Sequence, residues 1–111
     1  MAERIETLQL RQTVPLSTYM EIAEVAQANA TIIEVKINWP GGCNGLVEVA
    51  VYRGSLRLVP SNGTMALNAA TPTFPFEEPL SKGERLWAAI TNGDGANPHT
   101  ITVTFSLRRT P

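Results

Sequence analysis

Histidine and cysteine are almost absent from this chain of 111 residues, which contains one of each, His99 and Cys43. A catalytic histidine needs a nucleophile and an orienting acid, and a zinc site needs three or four nitrogen or sulfur ligands. A single cysteine also excludes an intrachain disulfide. The glycine pairs lack the lysine and the following helix of a phosphate-binding loop. We therefore predict a protein that is not an enzyme and that has no metal site and no cofactor.

Charge is also scarce. Charged residues make up 17% of the chain, against about 25% in an ordinary domain. Nine basic and ten acidic residues give a formal net charge of −1, so no basic excess drives binding to nucleic acid or to anionic membranes. Small neutral polar residues suit contact with neighbouring subunits. We therefore expect protein partners, above all other copies of this chain, and neither nucleic acid nor a membrane.

Long apolar runs are missing as well. None approaches the ~20 residues of a membrane-spanning helix, and the N-terminal MAERIETLQL lacks the apolar core of a signal peptide. The expectation is a chain that is made in the cytoplasm of the producing cell without a signal peptide.

What the sequence does contain is a period of two, the pattern of a half-buried β-strand. It is strongest in the central stretch 32–53, where two alternating runs flank a turn that contains Pro40. The apolar faces of these two predicted strands carry Ile33, Val35, Ile37 and Trp39 in the first, and Val47, Val49 and Val51 in the second.

The last strand, predicted for His99–Arg108, has the longest alternation: Ile101, Val103, Phe105 and Leu107 inward, and Thr100, Thr102, Thr104 and Ser106 outward. Further strands are predicted at 56–59 and 85–91, the latter with Leu86, Ala88 and Ile90 inward. The stretch 16–29 fits a helix or a strand, and the strand is favoured. Because of its prolines, 64–80 is expected to be a long irregular crossing. The loop 92–98 is expected to be flexible and exposed.

These strands predict an all-β fold: a single β-sandwich of seven to eight strands, jelly-roll-like, with an extended N-terminal arm. Residues 1–15 form the arm or an edge strand, and residues 16–111 form the sandwich. The arm is more apolar than a free tail, which favours its addition to a neighbouring subunit. The alternative is that the arm pairs with a strand of its own domain and completes its own sheet. The candidate assembly-interface residues are Ile5, Leu8, Leu10 and Val14.

Two small sites compete with simpler explanations. Asp94 supplies the only carboxylate of its loop, too few for a calcium site, so a plain turn is the better explanation. Three aromatic residues, Trp39, Tyr52 and Trp87, could instead form a sugar-stacking surface, which makes a carbohydrate-binding (lectin-like) module the alternative function.

The run TIIEVKINWPGGCNGLVEVAVYRG, the crossing ALNAATPTFPFEEPL and the ending NPHTITVTFSLRR resemble small jelly-roll-like virion proteins. In particular they resemble bacteriophage head decoration (cement) proteins. The resemblance covers about residues 31–108 and rests on the pattern of strands and turns, so it transfers no functional residue. It implies a structural protein of the virion, located on the capsid surface as a homotrimer, whose partners are other copies of itself and the major capsid protein or another virion protein.

Overall fold

The structure, a computed structural model, describes residues 4–109, which form eight β-strands and no helix. The predicted all-β class is therefore confirmed. No helix that could span a membrane occurs in this part of the chain. The strands are β1 (Arg4–Val14), β2 (Thr18–Val25), β3 (Ala30–Asn38), β4 (Val47–Arg53), β5 (Leu56–Val59), β6 (Thr73–Leu80), β7 (Arg85–Asn92) and β8 (His99–Arg109).

The strands form two antiparallel four-stranded sheets, with the orders β1-β8-β3-β6 and β2-β7-β4-β5. Every connection except β4–β5 passes from one sheet to the other. Strands that are consecutive in the chain therefore have the same position in the two sheet orders: β1 and β2, β8 and β7, β3 and β4, and β6 and β5. This order is that of a double-sheet jelly roll with eight strands, as predicted.

The core lies between the sheets and consists of the inward side chains of alternate positions. In β8 the predicted alternation is confirmed: Ile101, Val103 and Phe105 are fully buried, Leu107 is nearly so, and the threonines between them are half-exposed. Strand β7 follows the same rule with Leu86, Ala88 and Ile90, and β4 with its three valines.

One predicted face is wrong at its first residue. A β-bulge between Ile32 and Glu34 shifts the register of β3 against both of its neighbours. The bulge adds one residue, so Ile32 rather than Ile33 joins Val35 and Ile37 in the core. Alternation alone cannot show such a shift.

Two uncertain stretches are resolved. The segment 16–29 contains a strand, β2, as favoured from the sequence. The crossing 64–80 was expected to be irregular throughout, but its second half is β6. Pro75 and Pro79 are accommodated because β6 is an edge strand, where a missing backbone N–H removes no ladder bond on the open side.

The N-terminal stretch is an edge strand of its own sheet. From Arg4 opposite Arg109 to Val14 opposite His99, all of β1 pairs with β8. An arm that leaves its own domain for a neighbouring subunit is therefore not what the structure has. The first three residues of the predicted arm, and the last two of the predicted sandwich domain, lie outside the described residues.

Candidate functional site

The predicted aromatic surface is divided by the structure. Trp39 is fully buried, and its indole Nε1–H donates a hydrogen bond to the carbonyl of Val47 at 2.9 Å. It belongs to the core and offers nothing to a sugar, so its assignment to an exposed surface is wrong. Tyr52 and Trp87 are half-buried neighbours on the outer face of the second sheet, where their rings stack at 4.1 Å between centroids.

Both stacked rings are also covered by arginines. The guanidinium carbon of Arg57 lies 5.3 Å from the ring centroid of Tyr52, and that of Arg85 lies 4.7 Å from the ring centroid of Trp87. The indole N–H of Trp87 donates to the carbonyl of Gly54 at 2.8 Å. A sugar stacks on the face of an aromatic ring. In this ladder of four side chains the ring faces are covered and the ring edges are left, so no stacking surface remains for a sugar.

The second candidate is a polar network at the end of the sandwich where the β1–β2, β3–β4 and β7–β8 loops meet. The amide nitrogen of Asn92 donates to the carbonyls of Val14, Pro15 and Asn97 at 3.0–3.2 Å, and its oxygen accepts from the backbone N–H of Asp94 at 2.9 Å. Asn92 is only 1% exposed. One buried amide thus ties the β7–β8 loop to the end of β1.

Asp94 is the acceptor of the same network. Its carboxylate accepts hydrogen bonds from His99 Nε2 at 2.8 Å and from the backbone N–H groups of Ala96 and Asn97. The bond from His99, followed by the backbone bond from Ala96, lowers the pKa of Asp94 to about 2. Asp94 is 8% exposed, so the predicted exposure of the loop is wrong for Asn92 and Asp94, whereas Gly93 and residues 95–98 are exposed as predicted.

This end of the molecule is not arranged for nucleophilic chemistry. Cys43 is fully buried, and desolvation, followed by the charge of Asp94, raises the pKa of its thiol. A thiol that must act as a nucleophile needs the opposite shift. Within residues 4–109 no three histidine, cysteine or acidic side chains are close enough to hold a metal ion. The network fastens loops together.

The third candidate is the side of the sandwich formed by β1 and β2. Each is the edge strand of its sheet, and no strand among residues 4–109 pairs with its outer backbone edge. They are eleven and eight residues long and contain neither proline nor glycine. Long edge strands without proline readily pair with another strand, although charged residues, of which β1 has three and β2 has two, oppose such pairing.

The opposite side of the sandwich is closed by comparison. Its edge strands are β5, which has only four residues, and β6, which carries the two prolines. Both are established ways of blocking an edge. Arg53 strengthens this side by bonding Glu78 of β6 at 2.8 Å and Glu84 at 2.7 Å, which links the two sheets. The open and closed edges therefore lie on opposite sides of one molecule.

A groove of about 320 Å³ runs between β1 and β2, lined by 9–12 of the first strand and 22–24 of the second. Arg11 and Glu24 give its walls opposite charges, and neither forms an ion pair with any residue of 4–109. Beside it a smaller cavity of about 180 Å³ is lined by 6–8, 26–28 and parts of β8. We call the β1 and β2 edges with this groove the open side.

The predicted interface residues are distributed unequally over the open side. Leu10 and Val14 are 4% and 0% exposed and belong to the chain's own core, so their assignment to an interface is wrong. Leu8 is half-buried, and Ile5 is 56% exposed. Only these last two remain available to a partner.

Sequence reasoning missed the contribution of β2. Tyr19 and Val25 are 55% and 48% exposed, and Met20 and Ile22 pack only partly against the core. The signal was present as alternation in this segment, but alternation does not tell an edge strand from a central one. The Tyr19 hydroxyl donates to Glu21 at 2.7 Å, which lowers the pKa of Glu21.

Comparison with known proteins supports the fold. No protein-family model and no curated protein matches the chain. A solved structure titled "Crystal Structure of FLHE" is similar with a TM-score of 0.51 and 11% identity, over 95% of this chain and 98% of that one. A family two carbohydrate esterase from Cellvibrio japonicus has a TM-score of 0.48 and 11% identity, over 98% of this chain and 35% of that one. At such low identity the first likeness extends to the fold alone, and the second is too weak for any inference.

Proposed function

We propose that this chain is a non-enzymatic structural protein of a virus particle, a capsid decoration (cement) protein that stabilises the shell. The observation that carries the proposal is the open side, where two long edge strands without proline or glycine lie together. The jelly-roll order is compatible with it, because viral capsid proteins use this architecture, as lectin domains also do. The assignment to a virion itself rests on the sequence resemblance.

Association is the function that these edges suit best. An unpaired edge offers a row of backbone donors and acceptors that bind another strand whatever its side chains are. The half-exposed apolar residues Leu8, Met20 and Ile22 add surface that a partner would bury. Repeated many times on a lattice, even a modest contact of this kind gives high avidity. The expected partners are other copies of this chain and the major capsid protein.

A carbohydrate-binding module is the alternative, and its support has weakened. Of its three aromatic residues, Trp39 is in the core, and the rings of Tyr52 and Trp87 are covered by each other and by arginines. A half-exposed ladder of this kind stabilises two neighbouring strands without any ligand.

The test is whether the chain is part of a particle. Particles are purified by density gradient from cells in which a tagged copy replaces the natural gene, and their protein content is measured. We expect the chain in a fixed ratio to the shell protein, and particles without it should lose their contents at lower temperature. A chain that is absent from purified particles, or present in varying traces, would contradict the proposal.

A further inference from the structure

The open side has a geometry that selects its occupant. When a strand pairs antiparallel with its own copy about a two-fold axis, the numbers of any two opposite residues have the same sum. Opposite residues also face the same side of the sheet. Complete pairing of Arg4–Val14 with its copy puts Gln9 on the axis. In this register Leu8 lies opposite Leu10 of the copy, and every charged side chain meets a neutral one: Arg4 with Val14, Glu6 with Gln12, and Arg11 with Thr7.

The β2 strand gives an axis of its own. Nearly complete pairing of Thr18–Val25 with its copy puts either Glu21 or Ile22 on the axis. The first would place two carboxylates directly opposite each other, which is unfavourable. The second places Tyr19 opposite Val25 of the copy, and these are the two large exposed apolar residues of this strand.

A single dimer requires that the two axes coincide. Gln9 and Ile22 line the same groove, one on each wall, which is the arrangement that one two-fold axis through the groove needs. A β1 edge of eleven residues is about 37 Å long, and the two sheets lie about 10 Å apart. A strip of these dimensions covers about 370 Å² on each copy and about 740 Å² in total, before outward side chains such as Tyr19 and Val25 are added, so the contact is smaller than the ~1,200 Å² of a standard interface and depends on the pairing of backbone groups.

We infer that a second copy of this chain docks on the open side about this axis, pairing β1 with β1 and β2 with β2 into two continuous eight-stranded sheets. The closed side of each copy then forms the outer ends of the dimer, where the short β5 and the prolines of β6 stop further growth. The inference goes beyond the proposed structural role and does not depend on it, and it replaces the expected three copies by two.

The mass in solution and a disulfide test this arrangement. At micromolar concentration we expect about 24 kDa by light scattering, twice the 12.1 kDa of one copy. A Gln9→Cys variant puts two thiols on the axis with Cα atoms about 5 Å apart, within the range of a disulfide, so mild oxidation should cross-link it nearly completely. The matched control is Thr7→Cys, which is equally exposed but about 14 Å from its copy, and it should not cross-link. Wild-type Cys43 is buried and should stay reduced.

A Gln9→Lys variant should reduce the mass to that of one copy while its fluorescence and circular dichroism stay unchanged, because two ammonium groups would meet on the axis. A wild-type protein that stays monomeric would overturn the inference, as would a trimer mass or equal cross-linking of the two cysteine variants. A trimer would leave the shell role standing. Absence from purified particles would remove the shell role while leaving the two-fold contact intact.

Discussion

Replacement of the buried amide Asn92 by a carboxyl group is the sharpest test of the loop network. In the wild-type protein its nitrogen faces three backbone carbonyls, and its oxygen accepts from Asp94 N–H. An Asn92→Asp substitution hardly changes the volume and keeps the acceptor. It replaces the donating nitrogen by an oxygen that points at three other oxygens, beside the carboxylate of Asp94.

The expected loss follows from these contacts. Loss of one side of a buried hydrogen bond costs about 1–3 kcal/mol, and a buried charge without a partner costs about 3–5 kcal/mol. His99 cannot compensate the new charge, because it already bonds Asp94. We therefore expect the free energy of unfolding to fall by about 3–5 kcal/mol at pH 7. At about 4 °C per kcal/mol for a domain of this size, the Tm should fall by more than about 12 °C.

Urea unfolding followed by the fluorescence of the buried Trp39 measures this loss. Asn38→Asp is the matched control, because its amide makes one bond, to Thr71 Oγ1, at a site that water reaches. It should cost less than about 1 kcal/mol. The new carboxyl at position 92 should have a raised pKa, since its neighbours disfavour the charge. The loss of unfolding free energy in Asn92→Asp relative to wild type should thus be greatest above that pKa and should become smaller as the pH falls. An Asn92→Asp protein as stable as the control would refute the role of this amide.

Three further predictions concern the remaining candidates. Trp39→Phe should lower the free energy of unfolding by about 2–3 kcal/mol in urea titrations, because it leaves the Val47 carbonyl without its donor and opens a small cavity; an unchanged midpoint would contradict this. Asp94 has a folded pKa of about 2, below its ordinary value of 3.8, so its stabilising contribution should be complete above about pH 4 and be lost as the pH falls towards 2. In Asp94→Asn this loss of stability at low pH should be smaller. If the unfolding free energy depends on pH equally in the two proteins, the His99 contact is not the source of the loss. Oligosaccharides should leave the tryptophan emission unchanged, because Trp39 is buried and the ring of Trp87 is covered; a saturable shift that Trp87→Ala abolishes would favour the lectin-like module.

The fold class could be predicted from the sequence because the two-residue period of a strand is visible in a short stretch of the chain. The alternation of β7 and β8 follows directly from which side chains must avoid water. The bulge after Ile32 and the strand within 64–80 are not visible as a local sequence pattern. A bulge is defined by the partner strand, and a proline is tolerated only where no neighbour needs its N–H.

The polar network was missed for a similar reason. In the sequence, Asn92, Asp94 and His99 have the composition of an ordinary exposed turn. The network contacts the end of β1 and the β3–β4 loop, where Leu46 accepts from the backbone N–H of Gly93, and both lie far away along the chain. Residues separated by more than seventy positions meet there, as Asn92 and Val14 do, and no local pattern records such a contact.

By itself, the sequence determined that the chain forms alternating strands, that it contains one histidine and one cysteine, and that its N-terminal stretch is apolar on one face. Only the tertiary structure decided that Leu10 and Val14 belong to the core while no strand among residues 4–109 pairs with the outer backbone edges of β1 and β2. The physical reason is that side-chain periodicity encodes which face of a strand is buried, whereas the position of a strand within its sheet depends on long-range pairing. The open side is a property of that pairing, so it could appear only when all eight strands were in place.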